Sequence, residues 1–169
     1  STLVTGLYPP QHGVWTFSDV IPDSVTSLYD LFPGKCPSHL VVSSLVNSRK
    51  NAIQYDDTND FKSKLKSVEE PFFVLDRELA THAAYGQVGG VQENDQEFEN
   101  TDDYWQAKSA DLDGVREDYA HGVEVSANVF EERIDILREQ GLLKNTLVVF
   151  TADHGEALGE HGMVGHTNV

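Results

Sequence analysis

The chain has 169 residues, 39% of them hydrophobic, which is enough for one domain with a sizeable core. Its 28 acidic residues against 12 lysines and arginines give a formal charge of -16, a surface that repels nucleic acid and anionic membranes and excludes both as partners. No apolar run approaches bilayer-spanning length, no signal peptide is visible, and the single cysteine, Cys36, rules out an internal disulfide. The acidic, lysine-poor composition fits life at high salt, where screening removes self-repulsion, and a cytoplasmic location is expected.

In chain order, Ser1 to Gly6 reads as the end of a helix, closed by Gly6 and by Pro9-Pro10. A loop follows over 11–22. Ser24 is placed to N-cap a short helix carrying Val25, Leu28, Leu31 and Phe32, stopped by Pro33-Gly34. Leu40 to Val46 reads as a buried strand, the polar stretch 47–70 as a loop with a short helix, and Phe72-Phe73-Val74-Leu75 as a second buried strand. The Gly- and acid-rich segment 86–103 reads as an exposed loop.

The strongest periodic signal is an amphipathic helix from about Asp111 to Gln140. Val115, Tyr119, Val123, Ser126, Phe130, Ile134 and Leu137 form its apolar face, and Gly141 closes it. Thr146 to Thr151 is predicted as a third buried strand. Apolar strands alternating with helices predict an α/β fold, a mostly parallel sheet sandwiched by helices. In such sheets ligands gather at the carboxyl ends of strands, which points to the segments after Leu75 and after Thr151. No internal repeat or boundary shows, so 1–169 reads as one domain.

Asp153-His154-Gly155-Glu156 stands at such a strand end. A carboxylate and an imidazole there share a divalent metal, with Gly155 permitting a sharp change of backbone direction; the alternative is that Asp153 caps a following helix. With His154, the residues His161 and His166 place three histidines in one Gly-rich stretch. Their spacing matches no compact zinc motif, which favours a loop over a metal cluster. His82 lies beyond the second strand, as an anion ligand or general acid, or simply bonded in a turn. His12-Gly13 reads as a turn, His39 and His121 as incidental, and Cys36 as structural.

Taken in order, these segments resemble a known family. Ser1-Thr2-Leu3-Val4-Thr5-Gly6-Leu7-Tyr8-Pro9-Pro10-Gln11-His12-Gly13-Val14 is similar to the segment that follows the C/S-x-P-S-R nucleophile motif of sulfatases, members of the alkaline-phosphatase-like superfamily. Pro71-Phe72-Phe73 through Thr81-His82-Ala83-Ala84-Tyr85 is similar to that family's central strand and D-x-H-x-P-Y turn, with Ala80 where Asp is usual and Ala84 where Pro is usual. The run from Gly141 through Thr151-Ala152-Asp153-His154-Gly155-Glu156 to Gly162 is similar to its metal-binding segment, and is the most specific of the three. No G-K-W-H-type segment follows Leu40-Val41-Val42.

The resemblance implies an alkaline-phosphatase-like fold, incomplete at both ends of this chain, and hydrolysis of a small-molecule or glycan sulfate ester. It implies a divalent metal on Asp153 and His154, with Ca2+ foremost and Mg2+, Mn2+ or Zn2+ as alternatives. His82 and His166 would be catalytic: His82 at the sulfate group near the leaving oxygen, His166 on the same anion. The formylglycine nucleophile would precede Ser1, so the chain alone is expected to be inactive. The rival expectations are a phosphodiesterase or phosphoryl-transfer member of the superfamily, and a catalytically dead truncated copy.

Overall fold

The structure is a computed structural model that describes residues 2–16, 19–31, 38–42, 47–48, 51–52, 65, 70–76, 78–88, 91–92, 98 and 100–166. The chain divides into two compact units, Ser1–Arg77 and Glu78–Val169.

In the first unit, α1 (Thr2–Thr5) ends at Gly6, whose φ of 67° is open to glycine at little cost. Pro9-Pro10 does not merely end a helix. It starts one, α2 (Pro9–His12), because proline's fixed φ suits the first helical turn and its missing N–H is unneeded there. The third short helix, α3 (Leu28–Leu31), begins later than the Ser24 cap predicts. Ser24 lies in a turn closed by Val25 N–H on Pro22 O, and Ser27 holds the helix start, its N–H and hydroxyl both donating to Asp30 Oδ2 at 2.8 and 2.7 Å. Among the described residues of this unit, Val4, Ile21 and Leu65 are the buried apolar ones. His12 joins them, 1% exposed: its Nδ1 accepts from Val14 N–H at 3.0 Å, so Nε2–H donates to Thr2 Oγ1 at 3.2 Å. Both ring nitrogens are used, which makes this a structural histidine, as its turn context predicts.

Two of the predicted strands form. β1 (Ser38–Val42) pairs in parallel with β4 (Phe72–Asp76), in the register Ser38↔Phe72 to Val42↔Asp76. Between them in sequence, β2 (Asn47–Ser48) and β3 (Asn51–Ala52) make a small antiparallel ladder. The rest of the predicted strand after Val42, the helix stop at Pro33-Gly34, Cys36 and the side chain of His39 lie outside the described residues.

In the second unit the segment read as an open loop carries an antiparallel ladder, β5 (Gln87–Val88) with β6 (Val91–Gln92), followed by helix α4 (Thr101–Lys108), whose start Asn100 caps by accepting from Asp103 N–H at 3.0 Å. The long helix α5 spans Leu112–Glu139, capped by Asp111 and Gln140 and followed by Gly141 at φ 72°. Its buried face is Val115, Gly122, Val125, Ile136 and Leu137, whereas Val123 is exposed. The apolar spacing misplaces Val123 because two successive four-residue steps from Val115 carry a side chain about 80° round a 3.6-residue helix, while a seven-residue step to Gly122 drifts only about 20°.

The core of this unit is aromatic. Tyr85 and Tyr104 are fully buried with Ala83, Ala84 and Val115, and Phe98, Trp105, Tyr119 and Leu158 pack around them. Tyr85 meets Tyr104 at 5.5 Å and Tyr119 at 5.3 Å edge to face, the arrangement that ring quadrupoles favour by about 0.5–1.5 kcal/mol per pair. Tyr104 satisfies its hydroxyl by donating to Asp118 Oδ2 at 2.9 Å.

One expectation fails. Thr146 to Thr151 is not a strand: no ladder partner is present among the described residues, and Leu147, Val149 and Phe150 are 89%, 73% and 69% exposed. A parallel strand exists only by its neighbours, and the described strands of this unit are two-residue antiparallel rungs. Phe150 finds instead the Phe130 ring of α5, at 4.7 Å. No described helix is long and apolar enough to cross a membrane.

Candidate functional site

After residue 151 the chain bends at Asp153-His154 and no helix follows Asp153, which removes the N-cap alternative. Gly155 does not make a sharp left-handed turn either: it is absent from the positive-φ glycines and a Cβ there would meet nothing within 4 Å. The chain runs into a hairpin, β7 (Ala157–Leu158) against β8 (Val164–Gly165), with pairs Ala157↔Gly165 and Leu158↔Val164. Its turn uses positive φ at Gly159, His161 and Gly162, and is closed by Gly159 N–H on Met163 O at 2.8 Å.

That register explains the cluster. His154 lies in the bend just before the hairpin, close enough for its donor atom to group with those of Glu156 and His166. Continuing the ladder by one step puts Glu156 opposite His166, and cross-strand neighbours touch. His166 Nδ1–H donates to Glu156 Oε2 at 2.8 Å, and the His154 and His166 rings lie 4.2 Å apart. The turn 81–86 adds His82, whose ring is 5.5 Å from that of His166. The structure thus brings His82, His154 and His166 together, and leaves His161 and His121 exposed and outside the group.

Each of the three rings has its Nδ1 engaged within the chain. His82 Nδ1–H donates to Ala83 O at 2.7 Å, His154 Nδ1–H to Gly155 O at 2.9 Å, and His166 Nδ1–H to Glu156. In the neutral ring this fixes Nε2 as the lone-pair nitrogen, the atom that binds a metal or, once protonated, an anion.

Asp153 Oδ1 accepts from His154 N–H at 3.1 Å and stands 3.7 Å from His154 Nε2. A single divalent cation with bonds of about 2.0–2.4 Å spans such a gap, so the pair fits a metal. Donor atoms of His154, Glu156 and His166 also lie within 4.8 Å of one another, a second ligand grouping that includes His154.

Glu156, which the sequence shows only as the last residue of the Asp153-His154-Gly155-Glu156 run and gives no role, sits at the centre of this cluster. Its side chain is only 6% exposed, and its other oxygen accepts from the Tyr85 hydroxyl at 3.3 Å. Burial first, then the Glu156 charge, push the Tyr85 hydroxyl well above the usual tyrosine range, so it stays protonated and remains a donor. The legible signal was Tyr85 at the end of the second motif and Glu156 at the end of the third.

With this geometry in view, comparison with known proteins places the chain. The profile of the family described as Sulfatase matches residues 33–168. The chain is also 33% identical over 173 residues to the low-salt glycan biosynthesis sulfotransferase Agl7 of Haloferax volcanii, covering 97% of this chain and 39% of that protein. The chain therefore belongs to the sulfatase family, and with it to the α/β proteins of alkaline-phosphatase-like fold. No solved structure matches it significantly.

Proposed function

We propose that this chain is part of the catalytic domain of an enzyme that makes or breaks sulfate esters, with a glycan or small sulfate ester as substrate. The observation that carries the reading is the convergence of three imidazoles, each with Nδ1 engaged, beside an Asp-His pair of metal-binding span. All of 1–169 would belong to one domain, built on a parallel sheet covered by helices on both faces. Asp153 and His154 would hold a divalent cation, foremost Ca2+, with Mg2+, Mn2+ or Zn2+ as alternatives that an imidazole ligand admits. When bound, that cation supplies a local positive charge that draws a sulfate oxygen against the net -16 of the chain. His82 Nε2 then donates a proton toward the leaving oxygen, and His166 Nε2 holds the same anion.

Because the chain spans 39% of the length of the sulfotransferase it matches, the activity proposed is that of the full-length protein, and residues 1–169 alone would show no turnover. Transfer of sulfate to a glycan is the second reading, favoured by that relative's name. The test is turnover of an aryl sulfate and an aryl phosphate by the full-length protein, with and without a glycan acceptor. Sulfate hydrolysis in water alone supports the first reading and acceptor-dependent release supports the second. Phosphate turnover without sulfate turnover would overturn both.

The acidic surface carries a separate expectation. Raising KCl from about 0.1 to 1 M shortens the Debye length from about 10 to about 3 Å, which relieves self-repulsion. The melting temperature should climb over that range; a flat or falling curve would count against adaptation to salt.

A further inference from the structure

We propose that Glu156 and Tyr85 are positioning residues for His166: the buried carboxylate, held by the Tyr85 hydroxyl, accepts the hydrogen bond of His166 Nδ1–H and so turns the Nε2 side of the ring toward a ligand. The inference rests on the reading of His166 as an anion contact. Each step is structural. Glu156 is 6% exposed, so its charge needs partners, and it has one on each oxygen: His166 Nδ1 at 2.8 Å and the Tyr85 hydroxyl at 3.3 Å. His166 is 28% exposed and so remains open to a ligand.

The anchor beneath is rigid. Tyr85 is wedged edge to face against Tyr104, Trp105 and Tyr119, so its hydroxyl has a fixed place. On the other side Trp105 lies against Gly165, where a Cβ would sit 3.4 Å from the indole, so the strand bearing His166 is seated on the same aromatic group. The aromatic core thereby reaches the site through two chemical links, hydroxyl to carboxylate and carboxylate to imidazole. This is the arrangement by which a carboxylate behind a histidine sets its tautomer and ring orientation.

The experiment pairs long-range 15N–1H NMR of the imidazoles with steady-state kinetics on an aryl sulfate, in the full-length protein. Glu156→Met keeps the length of the side chain and suits a buried site, while Glu156→Gln keeps an acceptor for Nδ1–H. Wild type and Glu156→Gln should show a hydrogen-bonded His166 Nδ1–H protected from exchange, and Glu156→Met should lose that protection. In kinetics, Glu156→Met should lower kcat/KM about 10- to 100-fold, mostly through KM, with Glu156→Gln recovering most of the loss. Tyr85→Phe should cost about tenfold, one hydrogen bond to a charged carboxylate.

Combined with His166→Ala, Glu156→Met should add nothing further, since both act through one ring. Should Glu156→Met fail to fold, the wild-type Nδ1–H signal and Tyr85→Phe decide the matter. No hydrogen-bonded Nδ1–H on His166 in wild type, undiminished protection of it in Glu156→Met, fully additive losses, or a Tyr85→Phe variant with unaltered KM would overturn the inference. If His166→Ala leaves turnover intact while the wild-type Nδ1–H behaves as expected, the anion-contact reading fails and the positioning stands.

Discussion

Exchanging Asp153 for asparagine, or His154 for alanine, in the full-length protein is expected to lower kcat/KM for a sulfate ester by about 10³-fold while leaving the fold intact. The two side chains are 60% and 45% exposed, so neither contributes much to packing, and exposed substitutions of this kind change stability by about 0.5 kcal/mol or less. What each loses is a donor atom in a pair spaced 3.7 Å apart, which fits a single cation. Removing divalent metal from the wild type should produce the same loss, and re-adding Ca2+, Mg2+, Mn2+ or Zn2+ in turn should restore it with a preference that names the ion. Kinetics and thermal melts on the same preparations provide the check. Turnover within about tenfold of wild type in both variants, together with indifference to chelation, would remove Asp153 and His154 from the metal site.

The contrast between what sequence revealed and what it concealed has a physical source. The helix Leu112–Glu139 was legible because its signal is local: Asp111 caps one end, Gly141 closes the other, and the apolar period lies between. Its exact face was less so, since Gly122 carries no hydrophobic signal and owes its place to what lies opposite. Phe72 to Leu75 and the start of the Leu40 run were readable as strands because both are short, continuous apolar runs of aromatic, Val and Leu residues, and they do pair in parallel. Thr146 to Thr151 has the same composition and no ladder, because composition cannot supply a neighbour. Among the candidate residues, Asp153, His154, His82 and His166 were singled out through motif resemblance. Glu156 stood in the same motif without a role, because its contacts depend on a hairpin register that sets it opposite His166, and on a tyrosine 71 residues away.

The other large effect falls on a residue with no side chain. Gly122 is buried on the long helix against the turn that carries His82, and a Cβ placed on it would lie 2.4 Å from Ala80 O and 3.2 Å from Tyr85 Cβ. Alanine ordinarily favours a helix over glycine by about 1 kcal/mol, so an exposed Gly→Ala change would stabilise. Here the contact is with backbone oxygen, which cannot rotate away, and that same oxygen accepts from Gly86 N–H at 2.7 Å to close the turn. Either the helix moves off the turn or the turn opens. We expect Gly122→Ala to cost about 2–3 kcal/mol net, read as a melting temperature lower by roughly 5–10 °C, and to weaken turnover because Ala83 O, the partner of His82 Nδ1, lies in the displaced segment. Gly155→Ala is the control: with open space around its Cβ and no positive φ, it should melt within about 2 °C of wild type. If both glycines tolerate alanine equally, the close packing of the long helix on the His82 turn is wrong, and with it the route by which the aromatic core holds the three imidazoles together.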